Sequence, residues 1–217
     1  MAELAVAAGH PLEAIFVPAG TSAPAGALAG LPCYELAPGV LERVATTEAP
    51  RPMLAVVRFE PAGVEVLAQA GFVVVAAGVA DPGNLGTILR TAEAAGADAV
   101  VLTPDTVDVT NPKVVRASAG ALFHVPVVDQ VELGEVRVHG LRLLGTAAGG
   151  ATSYAEADLT GRIAIAVGNE AHGLPDDAPV DGWISIPHAG RAESLNAAMA
   201  AAVICFEAAR QRRGPGR

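Results

Sequence analysis

From residue 71 onward the chain alternates short, wholly apolar runs with longer stretches that are apolar on one side. Phe72–Ala76, Ala99–Leu102 and Ile163–Val167 are apolar at nearly every position. A strand covered on both faces has that pattern. Further strands are expected at 122–127, 141–146 and 183–186. Helices are expected from about 86 to 95 and over 111–117. Strands and helices in alternation predict an α/β domain: a mostly parallel sheet with helices on both faces. A long helix closes the chain, with Ser194 expected as its N-cap and Asn196 in its first turn. Ala197, Ala198, Met199, Ala200, Ala201, Ala202, Val203, Ile204 and Cys205 are apolar all around that helix, which demands burial on more than one side.

Residues 1–60 have a different texture. The end of a helix is expected at 2–8, strands at 14–17, 33–36 and 53–59, a Pro/Gly/Ala loop at 21–30 and a short helix at 40–46. That is too little for an independent core of ordinary size. The stretch 59–69, with Pro61 and Gly63, reads as a linker. The expected boundaries are therefore 1–60, a linker over 61–70, and 71–217. The basic stretch 210–217 reads as a solvated helix end, where cations are favoured.

Composition narrows the classes. Apolar residues make up 52% and aromatics only 4%, so the core is built from Ala, Val, Leu and Ile. No uncharged apolar run is long enough to span a bilayer, and the start lacks the basic residues of a signal peptide. Cys33 and Cys205 are the only cysteines and lie far apart, which points to a reducing cytoplasm. His10, His124, His139, His172 and His188 are scattered, with no metal-ligand spacing, so no metal is expected. A net charge of −9 argues against indiscriminate polyanion binding but leaves room for a local basic patch. Lys113 is the only lysine; every other fixed cation is arginine, which is the better bidentate phosphate ligand but is equally what a GC-rich genome would encode.

Three stretches carry candidate chemistry. After the 72–76 strand comes Asn84-Leu85-Gly86-Thr87-Ile88-Leu89-Arg90, with no dinucleotide-type glycine fingerprint. By itself it reads equally as an Asn helix cap, a glycine allowing close approach and a surface arginine. After the 163–167 strand comes Gly168-Asn169-Glu170-Ala171-His172-Gly173-Leu174, at a strand end where open α/β sheets bind ligands. The third stretch is Ile186-Pro187-His188-Ala189-Gly190-Arg191-Ala192-Glu193-Ser194-Leu195-Asn196.

In this order, Asn84-x-Gly86-x-x-x-Arg90, Gly168-Asn169-Glu170-x-x-Gly173-Leu174 and Ile186-Pro187-x-x-Gly190-x-x-x-Ser194-Leu195-Asn196 resemble the SpoU (TrmH) family of RNA 2′-O-ribose methyltransferases, part of the SPOUT superfamily. The resemblance covers roughly 71–213. Residues 1–60 are similar to the second half of the small ribosomal-protein-like RNA-binding domain of many members, so a truncated domain is expected there.

The resemblance implies a C-terminal trefoil knot, which pattern reading alone would not choose. It implies an S-adenosylmethionine pocket in that knot, with Gly168, Ile186 and Leu195 on the cofactor, Asn169 beside them and Thr146 and Ala147 at the wall. It implies a homodimer whose active site draws on both subunits, and RNA, ribosomal or transfer, as the partner. Arg90 is placed at the reacting 2′-hydroxyl, with Asn84, Glu170, Ser194 and Asn196 around it. Stripping the guanidinium proton near neutral pH costs roughly 9 kcal/mol, so Arg90 is expected first as a phosphate clamp and alkoxide stabiliser, with the role of base as the alternative. A non-catalytic RNA-binding or ribosome-assembly protein on the same fold is the competing class.

Overall fold

The computed structural model describes residues 1–22, 24–45, 52–149, 152–191 and 194–213. The chain divides into two compact units, Met1–Glu60 and Pro61–Arg217.

The first unit holds α1 (Ala2–Ala7), β1 (Leu12–Pro18), β2 (Cys33–Leu36), α2 (Val40–Val44) and β3 (Leu54–Val57). Its three-stranded sheet runs β2-β1-β3, with β1 parallel to β2 and antiparallel to β3. Ala2, Ile15, Val17 and Leu28 form its small core. Position 46, the expected end of the second helix, lies outside the described residues.

The second unit is organised around a seven-stranded sheet in which every pairing is parallel. Its strands are β4 (Phe72–Ala76), β5 (Ala99–Leu102), β6 (Val127–Val128), β7 (Arg142–Thr146), β8 (Thr152–Ser153), β9 (Ile163–Val167) and β10 (Gly182–Ser185). They lie in the order β6-β5-β4-β9-β7-β10-β8. Every residue of β4, β5 and β9 is buried, which is why these strands read as unbroken apolar runs. Strand alternation sends Val73, Val75, Val101, Leu143, Ala164 and Ala166 to one face. There they meet Val136 of α5 (Leu133–Val138) and Leu67 of a 3-10 turn, Val64–Ala68. The other face is covered by α3 (Pro82–Ala95), packed on β4 and β5, and by α6 (Ala197–Arg212), packed on β9. The helix α4 (Pro112–Ala117) lies against α3. A side chain at Gly86 would put its Cβ 2.4 Å from the Ala117 Cβ and 2.7 Å from the Val114 carbonyl oxygen, so glycine is what lets these two helices touch.

Several expectations are corrected. Residues 61–70 are not a free linker: Leu67 is fully buried and Ala70 nearly so, both in the core of the second unit. A strand at 122–127 is replaced by a 3-10 turn, Ala121–Phe123, and the two-residue β6. The helix expected from Gly86 starts at Pro82, because Asp81 is its cap: the Asp81 carboxylate accepts from the Asn84 backbone N–H (2.8 Å) and Pro82 opens the first turn. Ser194 is not the cap of α6. Asn196 is, its side-chain oxygen accepting from the N–H groups of Ala198 (2.9 Å) and Met199 (3.2 Å). Nor is α6 covered all round within one chain. Ala197, Ala198, Ala201, Ile204, Cys205, Ala208 and Ala209 are buried, whereas Leu195, Met199, Val203 and Phe206 stay exposed. Burial pushes the Cys205 thiol up to about 12, so it is an inert core residue. No helix among the described residues is long and apolar enough to cross a membrane.

Candidate functional site

In the sheet order β9-β7-β10, three parallel strands end side by side, and the loops leaving them open into a cleft of about 360 Å³. Loops at such strand ends carry backbone groups with no ladder partner, free to meet a ligand. Thr146 ends β7 and Ala147 follows it; Gly168, Asn169 and Glu170 follow β9; Ile186, His188, Ser194 and Leu195 lie between β10 and α6. Val167, Leu174, Ile184, Ala197, Ala200 and Ile204 give it an apolar floor. Among the described residues its carboxylates are Glu170 and Asp176, and no lysine or arginine lines it.

The loop after β9 is folded tightly on itself. Asn169 and Gly173 pair through both backbone groups, at 3.2 and 2.8 Å, and Gly173 has a left-handed φ of +67°. A Cβ at Gly168 would lie 2.3 Å from the Gly173 carbonyl carbon and 2.4 Å from the Leu174 nitrogen. Glycine at 168 is therefore demanded first by its own loop. Asn169 is occupied as well: its side-chain N–H donates to the Gly78 carbonyl (2.8 Å), and its oxygen accepts from the N–H of Ala171 (2.9 Å) and of His172 (3.3 Å).

Glu170 reaches across to the start of α3. Its carboxylate accepts from the backbone N–H groups of Ala80 and Asp81, each at 3.1 Å, and from the Asn84 side-chain amide at 2.8 Å. Partial burial pushes the Glu170 pKa up, but hydrogen bonds from Asn84, from its own backbone and from Ala80 and Asp81 outweigh it, and the net shift is downward. The Asn84 side-chain oxygen accepts in turn from the Asn196 amide (2.9 Å), and Asn196 caps α6. One line of side chains, Glu170–Asn84–Asn196, thus ties together the three sequence stretches.

Of the residues expected around the reacting hydroxyl, Glu170 and Ser194 line the cleft; Asn84 and Asn196 stand behind it as braces. Arg90 is exposed on α3 and does not line the cleft of its own chain. All six residues expected at the cofactor (Gly168, Ile186, Leu195, Thr146, Ala147 and Asn169) line it. Sequence reasoning passed over His188 and Asp176, which also line it. His188 lies inside the third stretch, and its position there was the available signal.

The profile of the SpoU rRNA Methylase family matches residues 71–206, more than half of the chain and all three stretches. This chain belongs to the SpoU rRNA methylase family. Relatives of the SpoU protein include the 23S rRNA (guanosine(2553)-2′-O)-methyltransferase RlmP of Bacillus subtilis, 38% identical over 202 residues, which are 90% of this chain and 79% of RlmP. The 23S rRNA (guanosine-2′-O-)-methyltransferase RlmB of Xanthomonas axonopodis pv. citri is 40% identical over 157 residues, 70% of this chain and 63% of RlmB. Among solved structures, the SpoU methyltransferase AviRb of Streptomyces viridochromogenes in complex with AdoMet is 33% identical, with a TM-score of 0.87 over 100% of this chain and 88% of AviRb. The lining of the SpoU cleft fits that cofactor: its floor is apolar, as an adenine would need, and the carboxylates of Glu170 and Asp176 would suit a sulfonium and an ammonium.

Proposed function

We propose that this SpoU-family protein transfers a methyl group from S-adenosylmethionine to a ribose 2′-hydroxyl of structured RNA, with ribosomal RNA as the substrate class. The observation that carries the reading is the convergence of the second and third stretches on one cleft, built from Gly168, Glu170, Ile186, Ser194 and Leu195. The 23S rRNA activities named for RlmP and RlmB favour ribosomal over transfer RNA. When bound, S-adenosylmethionine supplies an electrophilic methyl on a sulfonium sulfur. The chain's part is to hold the donor, orient the ribose and manage its proton.

In this reading the protein is a cytoplasmic homodimer. Met199, Val203 and Phe206 recur at helical spacing along the uncovered flank of α6, with exposed Leu195 just before the helix, and a second copy would bury them. The pairing also answers the position of Arg90: its guanidinium serves the cleft of the neighbouring copy, clamping phosphate and stabilising the nascent alkoxide. This reading includes a trefoil knot at the C-terminal end of the sheet; β9 and β10, both later in the chain than β7, lie on either side of it, in keeping with that path. The first unit is assigned to RNA binding. The rings of Phe16 and Tyr34 stack 5.6 Å apart on its sheet, and Tyr34 is 55% exposed, in the manner of a base-stacking surface.

The test is ribose-methylation mapping of total RNA from cells with and without the gene, alongside transfer of labelled methyl from S-adenosylmethionine to ribosomal RNA by the purified protein. A single 2′-O-methyl site that disappears with the gene is expected. Tight RNA binding with no methyl transfer would replace this reading with the non-catalytic one.

A further inference from the structure

In the sheet β4 lies between β5 and β9, so the segment that leaves it, residues 76–81, runs between the loops that leave the other two. Its backbone is held from both sides. On the β5 side the Gly78 N–H donates to two hydroxyl oxygens, Thr103 at 2.9 Å and Thr106 at 3.2 Å. The Thr106 hydroxyl gives its one proton to the Ala76 carbonyl (2.9 Å), and the Val107 N–H donates to the Val79 carbonyl (2.9 Å). On the β9 side the Gly78 carbonyl accepts from the Asn169 amide (2.8 Å), and the Ala80 and Asp81 N–H groups donate to Glu170 at 3.1 Å each. Gly78 takes a left-handed φ of +65°, a turn that lets its N–H and its carbonyl serve opposite loops. Asn169 and Glu170 line the cleft; Thr103 and Thr106 do not.

We propose that Thr106 is a positioning residue for the loop after β9: through the backbone of residues 76–81 it sets where Asn169 and Glu170 stand in the cleft. This rests on the reading of the cleft as the S-adenosylmethionine site. Held at Ala76 and Gly78, the segment offers the Gly78 carbonyl as a fixed acceptor, and the Asn169 side chain hangs from it. The Asn169 oxygen in turn holds the N–H groups of Ala171 (2.9 Å) and His172 (3.3 Å), so looseness at Gly78 passes into the whole loop. Without the Thr106 hydroxyl the Ala76 carbonyl keeps the Thr103 N–H (3.2 Å) and Gly78 keeps the Thr103 hydroxyl, so the segment stays in place with more freedom. Valine at 106 keeps the branched shape and removes both hydrogen bonds of the hydroxyl; serine keeps the hydroxyl and drops the methyl. The two substitutions therefore separate positioning by the hydroxyl from packing by the methyl.

The experiment uses the full chain at a temperature where thermal unfolding shows every variant folded. Amide hydrogen exchange of residues 169–173 is followed in cofactor-free protein, and S-adenosylmethionine is titrated by calorimetry. Thr106→Val is expected to speed that exchange about tenfold and to weaken cofactor binding about tenfold, the scale of one or two lost hydrogen bonds. Thr106→Ser should stay close to wild type in both. Thr110→Val is the control: its lost hydroxyl belongs to the same loop but bonds Asp108 (2.7 Å) and not residues 76–81, so both readouts should stay unchanged. Combined with Asn169→Ala, Thr106→Val should weaken binding by less than the product of the two single effects, because the two act along one path. Thr106→Ala replaces Thr106→Val, with the same expectations, if the valine variant does not fold. Unchanged exchange and affinity in Thr106→Val overturn the proposal. So do failure of serine to restore them, an equal loss in Thr110→Val, or effects that simply multiply with Asn169→Ala. A wild-type protein that does not bind S-adenosylmethionine overturns the reading of the cleft, and the role of Thr106 with it.

Discussion

Replacing Glu170 by alanine tests the brace that joins the cofactor loop to α3 and α6. The carboxylate holds three hydrogen bonds to other segments: two to backbone N–H groups at 3.1 Å and one to the Asn84 amide at 2.8 Å. A hydrogen bond contributes about 0.5–1.5 kcal/mol net, and solvent at the exposed edge keeps these toward the lower end, so the loss is about 2 kcal/mol. For a chain of this size that corresponds to a fall of roughly 4–8 °C in melting temperature. S-adenosylmethionine binding should weaken as well, since the loop from Gly168 to Leu174 loses its tie to residues 80–84. Thermal unfolding with and without cofactor reads both effects. Linkage sets the pH dependence. The Glu170 pKa is lowered on folding, so its contribution is fully present above the ordinary carboxylate range and fades as pH falls through the folded value. The Glu170→Ala variant should therefore differ most from wild type near neutral pH and converge with it in acid. Equal melting temperatures and equal cofactor affinities at pH 7 would refute the brace.

Arg90→Ala should cut methyl transfer at least about a hundredfold while leaving S-adenosylmethionine affinity unchanged, because Arg90 lies off its own chain's cleft; single-turnover rates measured beside calorimetry separate the two. Gly168→Val should abolish cofactor binding by forcing the loop off its own Gly173–Leu174 backbone rather than by filling the ligand's space, so its thermal stability should fall even without cofactor. Met199→Glu, at a side chain 60% exposed, should leave the fold intact and yield a monomer by light scattering, whereas Ala201→Glu places an unpaired charge at a fully buried position and should unfold the chain at a cost of several kcal/mol.

The centre of the fold was legible because burial on both faces removes polar residues from a strand. β4, β5 and β9 each carry an unbroken apolar run, and their expected bounds match the structure. The margins of the sheet were not. β6 and β8 have two residues each, too few to show any period. α5 is six residues of mixed character that pack through Val136 alone among its buried positions, so it left no stripe to read. Caps were misplaced where two capping residues compete: Asn84 with Asp81, and Ser194 with Asn196. Proximity in sequence cannot decide between them, and the carboxylate before Pro82 and the amide bonded to Asn84 do. At the site, the residues of the second and third stretches come together as expected, but their roles divide in a way that spacing does not reveal. Asn84 and Asn196 are also tied to Glu170, to each other and to the cap of α6, contacts that motif spacing does not show.

The order of strands across the sheet sets the timetable of folding. β9 sits between β4 and β7, both made earlier, and β10 sits between β7 and β8. While the chain emerges from the ribosome, β6-β5-β4 can pair among themselves, but β7 has no neighbour of its own sheet to join until residue 167 is out. Loop closure over such separations is slow. The last helix then has to arrive before its end can be secured: the Gln211 side chain donates to the Ala157 carbonyl (3.0 Å) and accepts from the Leu159 N–H (2.9 Å), and Arg212 donates to the Gly161 carbonyl (2.7 Å) while lying over the Phe72 ring. From the completion of β4 at residue 76 to that of β10 at residue 185 the nascent protein thus carries uncovered sheet edges, and exposed edges of that kind favour aggregation.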